Sequence, residues 1–473
     1  MQESAMVDGE RDAPTALAGN EIDAAFGAYD IRGDAHDTLC CGNVIAIARA
    51  YGDVISPEGN RRFAIGHDAR VTSRSLAEAV SLGLRSGGHH VTHIGLCTTP
   101  MLYWYGATQG FDGSVMITAS HLAPRYNGLK LCRAGAVPMS IEDGLSQVRG
   151  RLRLPFVFDR PCTPVVHYTS PLRQYAGALR AYLELPRPVK VAVDAGNGPG
   201  GIDTREVFSH LAYVRMWEIS FDPDGTFPDR SPDPLAPNAL EALAGSVVRH
   251  GCEFGVAFDG DADRAAVVDE RGELVPPDVV GGLVARQLLR RHPGATILCD
   301  PRASRGVCEA ISEAGGRTLR TRVGRPFIKA AMREHDAQFA LEMSGHYYYA
   351  DLYYTDNGLR TLIELANLMA GSDAPLSALV CGLSRYVRSG EINLPVMDID
   401  GALAALTQAY GDGEIDRVEG LTVDYEDWWF NARSALTEPA LRLNIEARDA
   451  ELLAAQRAAL LTTLRPFLPG GLT

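Results

Sequence analysis

No CxxC pair occurs among the nine cysteines of this 473-residue chain. That absence argues against a thiolate metal site or a dithiol redox centre and leaves the pattern of reduced cysteines in a cytosolic protein. Adjacent Cys40 and Cys41 read as incidental. No segment approaches the roughly 20 continuous apolar residues of a membrane span. The N-terminus lacks the basic-then-apolar pattern of a signal peptide; residues 1–22, acidic and rich in small side chains, read as a disordered leader. Basic residues are in deficit, 45 against 59 acidic, for a net charge of −14. Such a balance excludes a general binder of nucleic acid or of an anionic membrane. Any phosphate must therefore be gripped by a local cluster of Arg or Lys. Aromatics are few, at 7%, within an otherwise ordinary globular composition. A cytoplasmic protein acting on a small molecule fits these absences.

What is present is repetition. Short apolar runs end in Gly/Asp-rich loops, and amphipathic stretches of helical length follow. Phe63–Asp68 leads into Ser75–Val80, Val189–Gly198 behaves alike, and Ile297–Asp300 precedes Ala303–Arg305. Such alternation predicts mixed sheets covered by helices on both faces. A chain of this length has a prior of about three or four domains. Three α/β blocks fit residues 23–165, 166–269 and 270–384. In residues 385–473, Glu391–Val396, Thr422–Tyr425 and Ala440–Ile445 alternate like half-exposed strands. Helical stretches at Gly401–Tyr410 and Asp449–Leu464 accompany them, which predicts a small α+β domain. The expected fold is thus three mixed-sheet α/β domains plus a C-terminal α+β domain around a central cleft.

Three loops carry the chemistry. Ser120, in Thr118-Ala119-Ser120-His121, leaves an apolar run with His121 and Lys130 nearby. Taken alone, it is better read as a turn cap. Read functionally, its oxygen accepts and returns a phosphoryl group while His121 and Lys130 manage the proton. Asp259, Asp261 and Asp263 alternate in a tight loop, a spacing that turns three carboxylates toward one hard divalent cation. Arg264 adds positive charge for a phosphate. An EF-hand is excluded because Arg264 stands where that loop needs Gly, and because the flanks read as strands. Glu342-Met343-Ser344-Gly345-His346 supplies polar groups after a third apolar run.

In this order the motifs resemble the α-D-phosphohexomutases, in their phosphomannomutase/phosphoglucomutase branch, over nearly the whole chain. Ala28–Gly33, Thr118–His121 with Tyr126–Gly128, Asp222–Pro228 with Pro232–Leu235, Asp259–Arg264, Thr321–Gly324 and Glu342–His346 all match. The resemblance implies that Ser120 carries phosphate and holds Mg²⁺ with Asp259, Asp261 and Asp263. It implies reversible transfer between O1 and O6 of a mannose or glucose phosphate through a hexose 1,6-bisphosphate. Tyr29, Arg32 and Lys130 would lie near the reacting phosphate. Glu342 and Ser344 would hold sugar hydroxyls, with Met343 and His346 typical of the branch. The expected partner is a small hexose phosphate, bound by a monomer or homodimer.

The departures matter as well. Leu122 and Ala123 stand where Asn and Pro are usual. Arg302 and Arg325 replace Lys and His, and both remain able to bind phosphate. The C-terminal phosphate loop, Arg433-Ser434-Ala435-Leu436-Thr437, keeps only Arg433 and Thr437 of its pattern. A diverged paralogue that binds sugar phosphate or a partner protein with little turnover is the alternative, as is a mutase for another sugar such as phosphoglucosamine.

Overall fold

Among the described residues, four β-sheets follow one another along the chain. The computed structural model describes residues 19–153, 166–209, 211–435 and 440–469. The first sheet runs Ile31–Asp34, Tyr126–Arg133, Gly113–Ile117, Arg62–His67, His90–Leu96, Val166–Tyr168, with Val137–Pro138 beside Tyr126–Arg133. The second runs Leu274–Val275, Ala265–Asp269, Phe254–Phe258, Val189–Asp194, Val214–Ile219. The third runs Arg317–Arg320, Thr296–Cys299, Phe339–Leu341, Tyr347–Tyr349, Thr355–Asp356. All three mix parallel and antiparallel pairs, as the alternation of strands and helices predicts.

One strand occupies the same position in each of these sheets. Gly113–Ile117, Phe254–Phe258 and Phe339–Leu341 each pair parallel with one neighbour and antiparallel with the next strand in sequence. All three are buried along their whole length, as strands covered on both faces must be. The hairpin connections that follow them, residues 118–125, 259–264 and 342–346, are the three loops singled out in the sequence. They leave the carboxyl ends of parallel strands, where open α/β sheets bind ligands. A single apolar core, including Met116, Phe258 and Phe339, runs through all three units and fixes the loops relative to one another.

The fourth sheet, Val387–Pro395, Ala440–Ala447, Trp428–Ser434, Leu421–Asp424, Glu414–Asp416, is wholly antiparallel. Its core, with Leu394, Phe430, Leu443 and Leu460, is its own. Helices Ile399–Ala409 and Ala450–Leu464 lie close to their expected bounds, capped by the Asp398 and Asp449 side chains. Two strands were not expected. Trp428–Ser434 is buried at six of its seven positions, so it shows no period-two alternation.

Other details correct the sequence reading. The leader expected over residues 1–22 ends in structure: Gly19–Ala24 is helical, and buried Ile22 joins the first domain's core. Residues 1–18 lie outside the described ones. Two expected junctions also move. Val166–Tyr168 pairs with His90–Leu96 in the first sheet, and Leu274–Val275 pairs with Ala265–Asp269 in the second. Among the described residues, no helix is long and apolar enough to cross a membrane.

Candidate active site

Ser120 sits three residues beyond the Gly113–Ile117 strand with φ of 51°. A left-handed non-glycine residue is strained and persists only where its surroundings hold it. Two groups do so. The Thr118 hydroxyl accepts from the Ser120 amide at 2.8 Å. The Arg70 guanidinium donates to the carbonyls of Ser120 (2.8 Å), Leu122 (2.6 Å), Ala123 (2.9 Å) and Tyr126 (2.8 Å). Asp68 in turn binds Arg70 Nε at 3.1 Å, with both side chains fully buried. The loop is thus shaped through backbone oxygens, which Leu122 and Ala123 provide as well as any residue. Sequence reasoning missed Arg70. Its signal was Asp68-x-Arg70 directly after a strand, a pattern that recurs as Asp300-x-Arg302 after Thr296–Cys299 with the same internal contacts.

Ser120 Oγ donates to Asp259 Oδ2 at 2.6 Å. One oxygen each from Asp259, Asp261 and Asp263 lies within 4.8 Å of the others. Glycine at 260 permits this meeting, since a Cβ there would lie 2.5 Å from the Ser120 carbonyl oxygen. Burial and the neighbouring Asp263 and Asp261 carboxylates push Asp259 well above the usual carboxylate range. Against the opposing effect of burial, Lys130, His346 and Arg325 hold Asp263 well below it. Lys130 Nζ reaches Asp261 at 2.5 Å and Asp263 at 2.6 Å, and Arg325 reaches Asp263 at 2.8 Å. Among the described residues, Asp261 Oδ1 and Asp263 Oδ1 nonetheless accept no hydrogen bond despite burial. An all-oxygen donor set with orphaned acceptors fits a hard divalent cation. A second group, Asp263, His346 and Asp356, is equally close. Lys329 on Asp356 at 2.9 Å and Arg264 on His346 at 3.2 Å already supply it with cations.

The other expected residues gather around this point. Arg32 bonds Asp30 at 2.8 Å and the Ala119 carbonyl at 3.4 Å. Arg325 also reaches Asp30 at 3.3 Å and lies over the Tyr29 ring. Arg264 is 3.7 Å from Asp259, and its backbone bridges to His346, joining the second and third hairpins. His346 Nδ1 lies 2.7 Å from Ser344 Oγ and 3.1 Å from Glu342 Oε2. His121 Nδ1 is 3.4 Å from Ser120 Oγ. Burial, then Arg264, Arg32 and His346, drive the His121 pKa down to about 2. His121 is therefore neutral, and among these cations a weak base. Arg302 and Arg433 stand apart from the carboxylates and meet each other across Glu391. Thr437 and Leu436 lie outside the described residues.

A simple serine hydrolase has no use for three carboxylates packed around its nucleophile. Phosphoryl transfer does, because a cation held there would, with the surrounding Arg and Lys side chains, offset the charge of the phosphoryl oxygens. Fold and site together define an enzyme of phosphoryl transfer. Models of the phosphoglucomutase/phosphomannomutase α/β/α domains I, II and III match residues 23–148, 168–272 and 276–386, and that of the C-terminal domain matches 391–463. The chain belongs to the phosphoglucomutase/phosphomannomutase family and is a phosphohexomutase. It is 36% identical to a Xanthomonas campestris protein described as phosphohexose mutases, over 93% of this chain and 99% of that one. Against a phosphomannomutase of Escherichia coli K12 it is 36% identical, over 93% and 98% respectively. The crystal structure of a phosphoglucomutase/phosphomannomutase family protein from Burkholderia thailandensis superposes with a TM-score of 0.85 at 33% identity, covering 94% of this chain and 98% of that one.

Proposed function

We propose that the protein moves a phosphoryl group between O1 and O6 of mannose or glucose phosphate, by way of phosphorylated Ser120 and a hexose 1,6-bisphosphate. The relatives named phosphomannomutase and phosphohexose mutase support this choice of sugar. The observation that carries the proposal is Ser120 Oγ, held in a left-handed loop 2.6 Å from one of three clustered aspartates.

In the forward step the bond between phosphorus and Ser120 Oγ breaks as one to the sugar O6 forms. The proton lost by O6 is regained at Ser120 Oγ, and His121, 3.4 Å from that oxygen and made more basic by the phosphoryl charge beside it, is placed to relay it. Lys130, Arg264, Arg32 and Arg325 surround the reacting phosphoryl group and stabilise its charge without reorganising. Asp259, Asp261 and Asp263 would hold Mg²⁺, which offsets charge on the transferring phosphoryl oxygens when bound. Glu342 and Ser344 present their oxygens to sugar hydroxyls, and His346 orients both. The bisphosphate then turns in the cleft, and its O1 phosphoryl group returns to Ser120.

The test follows the 6-phosphate by ³¹P NMR, with Mg²⁺, catalytic glucose 1,6-bisphosphate and either mannose 1-phosphate or glucose 1-phosphate. Product formation that vanishes in Ser120→Ala is expected. Product that persists in that variant overturns the assignment of Ser120.

A further inference from the structure

Each loop-bearing strand has a parallel neighbour, and an aspartate stands at, or one residue beyond, the carboxyl end of that neighbour: Asp68, Asp194 and Asp300. In all three, one carboxylate oxygen accepts from the amide two residues on, at 3.0, 2.7 and 2.9 Å. Each aspartate also takes a guanidinium. For Asp68 and Asp300 that group belongs to the residue two on, Arg70 and Arg302. After Asp194 the same position is Gly196, with φ of 53°. Here the guanidinium comes from Arg230, 36 residues beyond Asp194, whose Nε donates to Asp194 Oδ2 at 2.7 Å. A Cβ on Gly196 would lie 2.6–2.9 Å from three guanidinium atoms of Arg230. Arg230 thus takes the space that a side chain at 196 would need, and completes the third clamp from a distant part of the chain.

A further bond of this guanidinium falls at the root of the aspartate loop. Arg230 Nη2 donates to the carbonyl of Phe258 at 2.7 Å, and Phe258 directly precedes Asp259. The Asp194 and Arg230 side chains are only 1% and 7% exposed, so water competes little for these bonds. Two residues on, Pro232 lies against the same loop: a Cβ on Gly260 would be 3.4 Å from Pro232 Cβ. The motif Asp222–Pro228, which leads into Arg230, lies against the first clamp. A Cβ on Gly225 would clash with the Ala69 carbonyl oxygen and lie 2.5 Å from Arg70 Cα, a close approach that only glycine allows. The Phe227 ring sits against the Arg70 guanidinium, 5.1 Å from its centroid. Residues 225–232 therefore touch, at one end, the arginine that shapes the Ser120 loop and, at the other, the loop of the three aspartates.

We propose that Arg230 is a positioning residue for the aspartate loop, and that residues 225–232 strap this loop to the Arg70 clamp so that Ser120 and the three aspartates keep one mutual geometry. The proposal rests on the phosphohexomutase reading and adds to it a residue that touches neither the sugar nor the cation. Holding the Phe258 carbonyl fixes the direction in which the chain leaves its strand, and with it where Asp259 points. Partners that orient metal ligands from behind typically matter by about 10- to 100-fold in metal affinity.

Arg230→Lys keeps a cation for Asp194 and loses the planar fork that also reaches Phe258. In the full chain, with intact mass showing the same phosphate content as the parent, calorimetry with Mg²⁺ alone reads an affinity about tenfold weaker. The Mg²⁺ concentration that half-saturates activity rises with it, while the KM for hexose 1-phosphate at saturating Mg²⁺ stays within twofold. Tm measured without metal stays close to the parent's, which a merely structural role would not allow. Phe227→Leu, at the far end of the strap, weakens Mg²⁺ binding in the same direction by less. Parent-like Mg²⁺ affinity in Arg230→Lys overturns the proposal, as does a sugar KM that rises as much as the Mg²⁺ requirement. Parent-like affinity in Phe227→Leu overturns the strap. Mg²⁺ affinity lowered in Arg230→Lys, with no mutase activity even in the unsubstituted protein, would leave the positioning role standing and remove the mutase reading. Normal turnover with Mg²⁺ affinity indifferent to both substitutions would do the reverse.

Discussion

Arg70 carries more of the active site's shape than its position in the chain suggests. Four carbonyls and one carboxylate converge on its guanidinium, all from the loop that presents Ser120 or from its support. A planar fork of five donors suits that task, and a lysine ammonium does not. Arg70→Lys keeps a charge for Asp68 while releasing carbonyls. We expect kcat to fall about a hundredfold, the scale of a misplaced reacting group, in a protein whose circular dichroism is unchanged. A kcat within twofold of the parent would show that the loop keeps its shape without the clamp. Ser120 and the three aspartates stand out in the sequence as candidates because their side chains would be the chemistry. The sequence did not reveal Arg70, whose partners are mostly backbone oxygens about 50 residues away, and backbone acceptors leave no mark on residue type.

Elements explain why three loops from distant parts of the chain meet. The same strand position in three sheets delivers hairpins 118–125, 259–264 and 342–346 to one point, and the apolar runs before each loop made that legible. Less legible were strands without alternation, such as Trp428–Ser434, and the contacts between units. One such contact has a pH signature. Thr98 caps helix Thr99–Thr108 and donates to Asp203 at 2.6 Å, while Thr99 donates to Asp261 at 2.5 Å. Burial raises the Asp203 pKa to about 7, opposed only by the bond from Thr98. A carboxyl whose folded pKa exceeds its unfolded one favours the fold fully below the ordinary carboxylate range. That contribution is lost as pH rises toward 7. Asp203→Asn, which does not ionise, should therefore raise Tm more at pH 8 than at pH 5. An equal shift at both values would mean that Asp203 does not titrate in the fold.

At the scale of the whole molecule, one apolar core runs through the first three domains in addition to the first domain's own, whereas the C-terminal domain shares none of it. Many of its bonds to the third domain are polar: Arg305 and Arg320 to Asp424, Arg388 to Asp278, and Arg302 to Glu391. Polar interfaces between domains allow relative motion. The C-terminal domain is expected to swing, and a ligand with two phosphates to close it. Small-angle scattering should show a smaller radius of gyration with glucose 1,6-bisphosphate than without, and this change should be lost in Arg433→Ala. An identical radius in both states would mean a rigid assembly.

The central claim is that Ser120 is the way-station through which phosphate passes between two positions of one sugar. Peptide mass spectrometry of the full protein, first treated with glucose 1,6-bisphosphate and then with excess hexose 6-phosphate, tests it most directly. The account predicts one phosphoryl group on the peptide containing Ser120 after the first step, and its loss to the sugar after the second. A peptide that never gains phosphate, or gains it and does not return it to the sugar, would contradict the account.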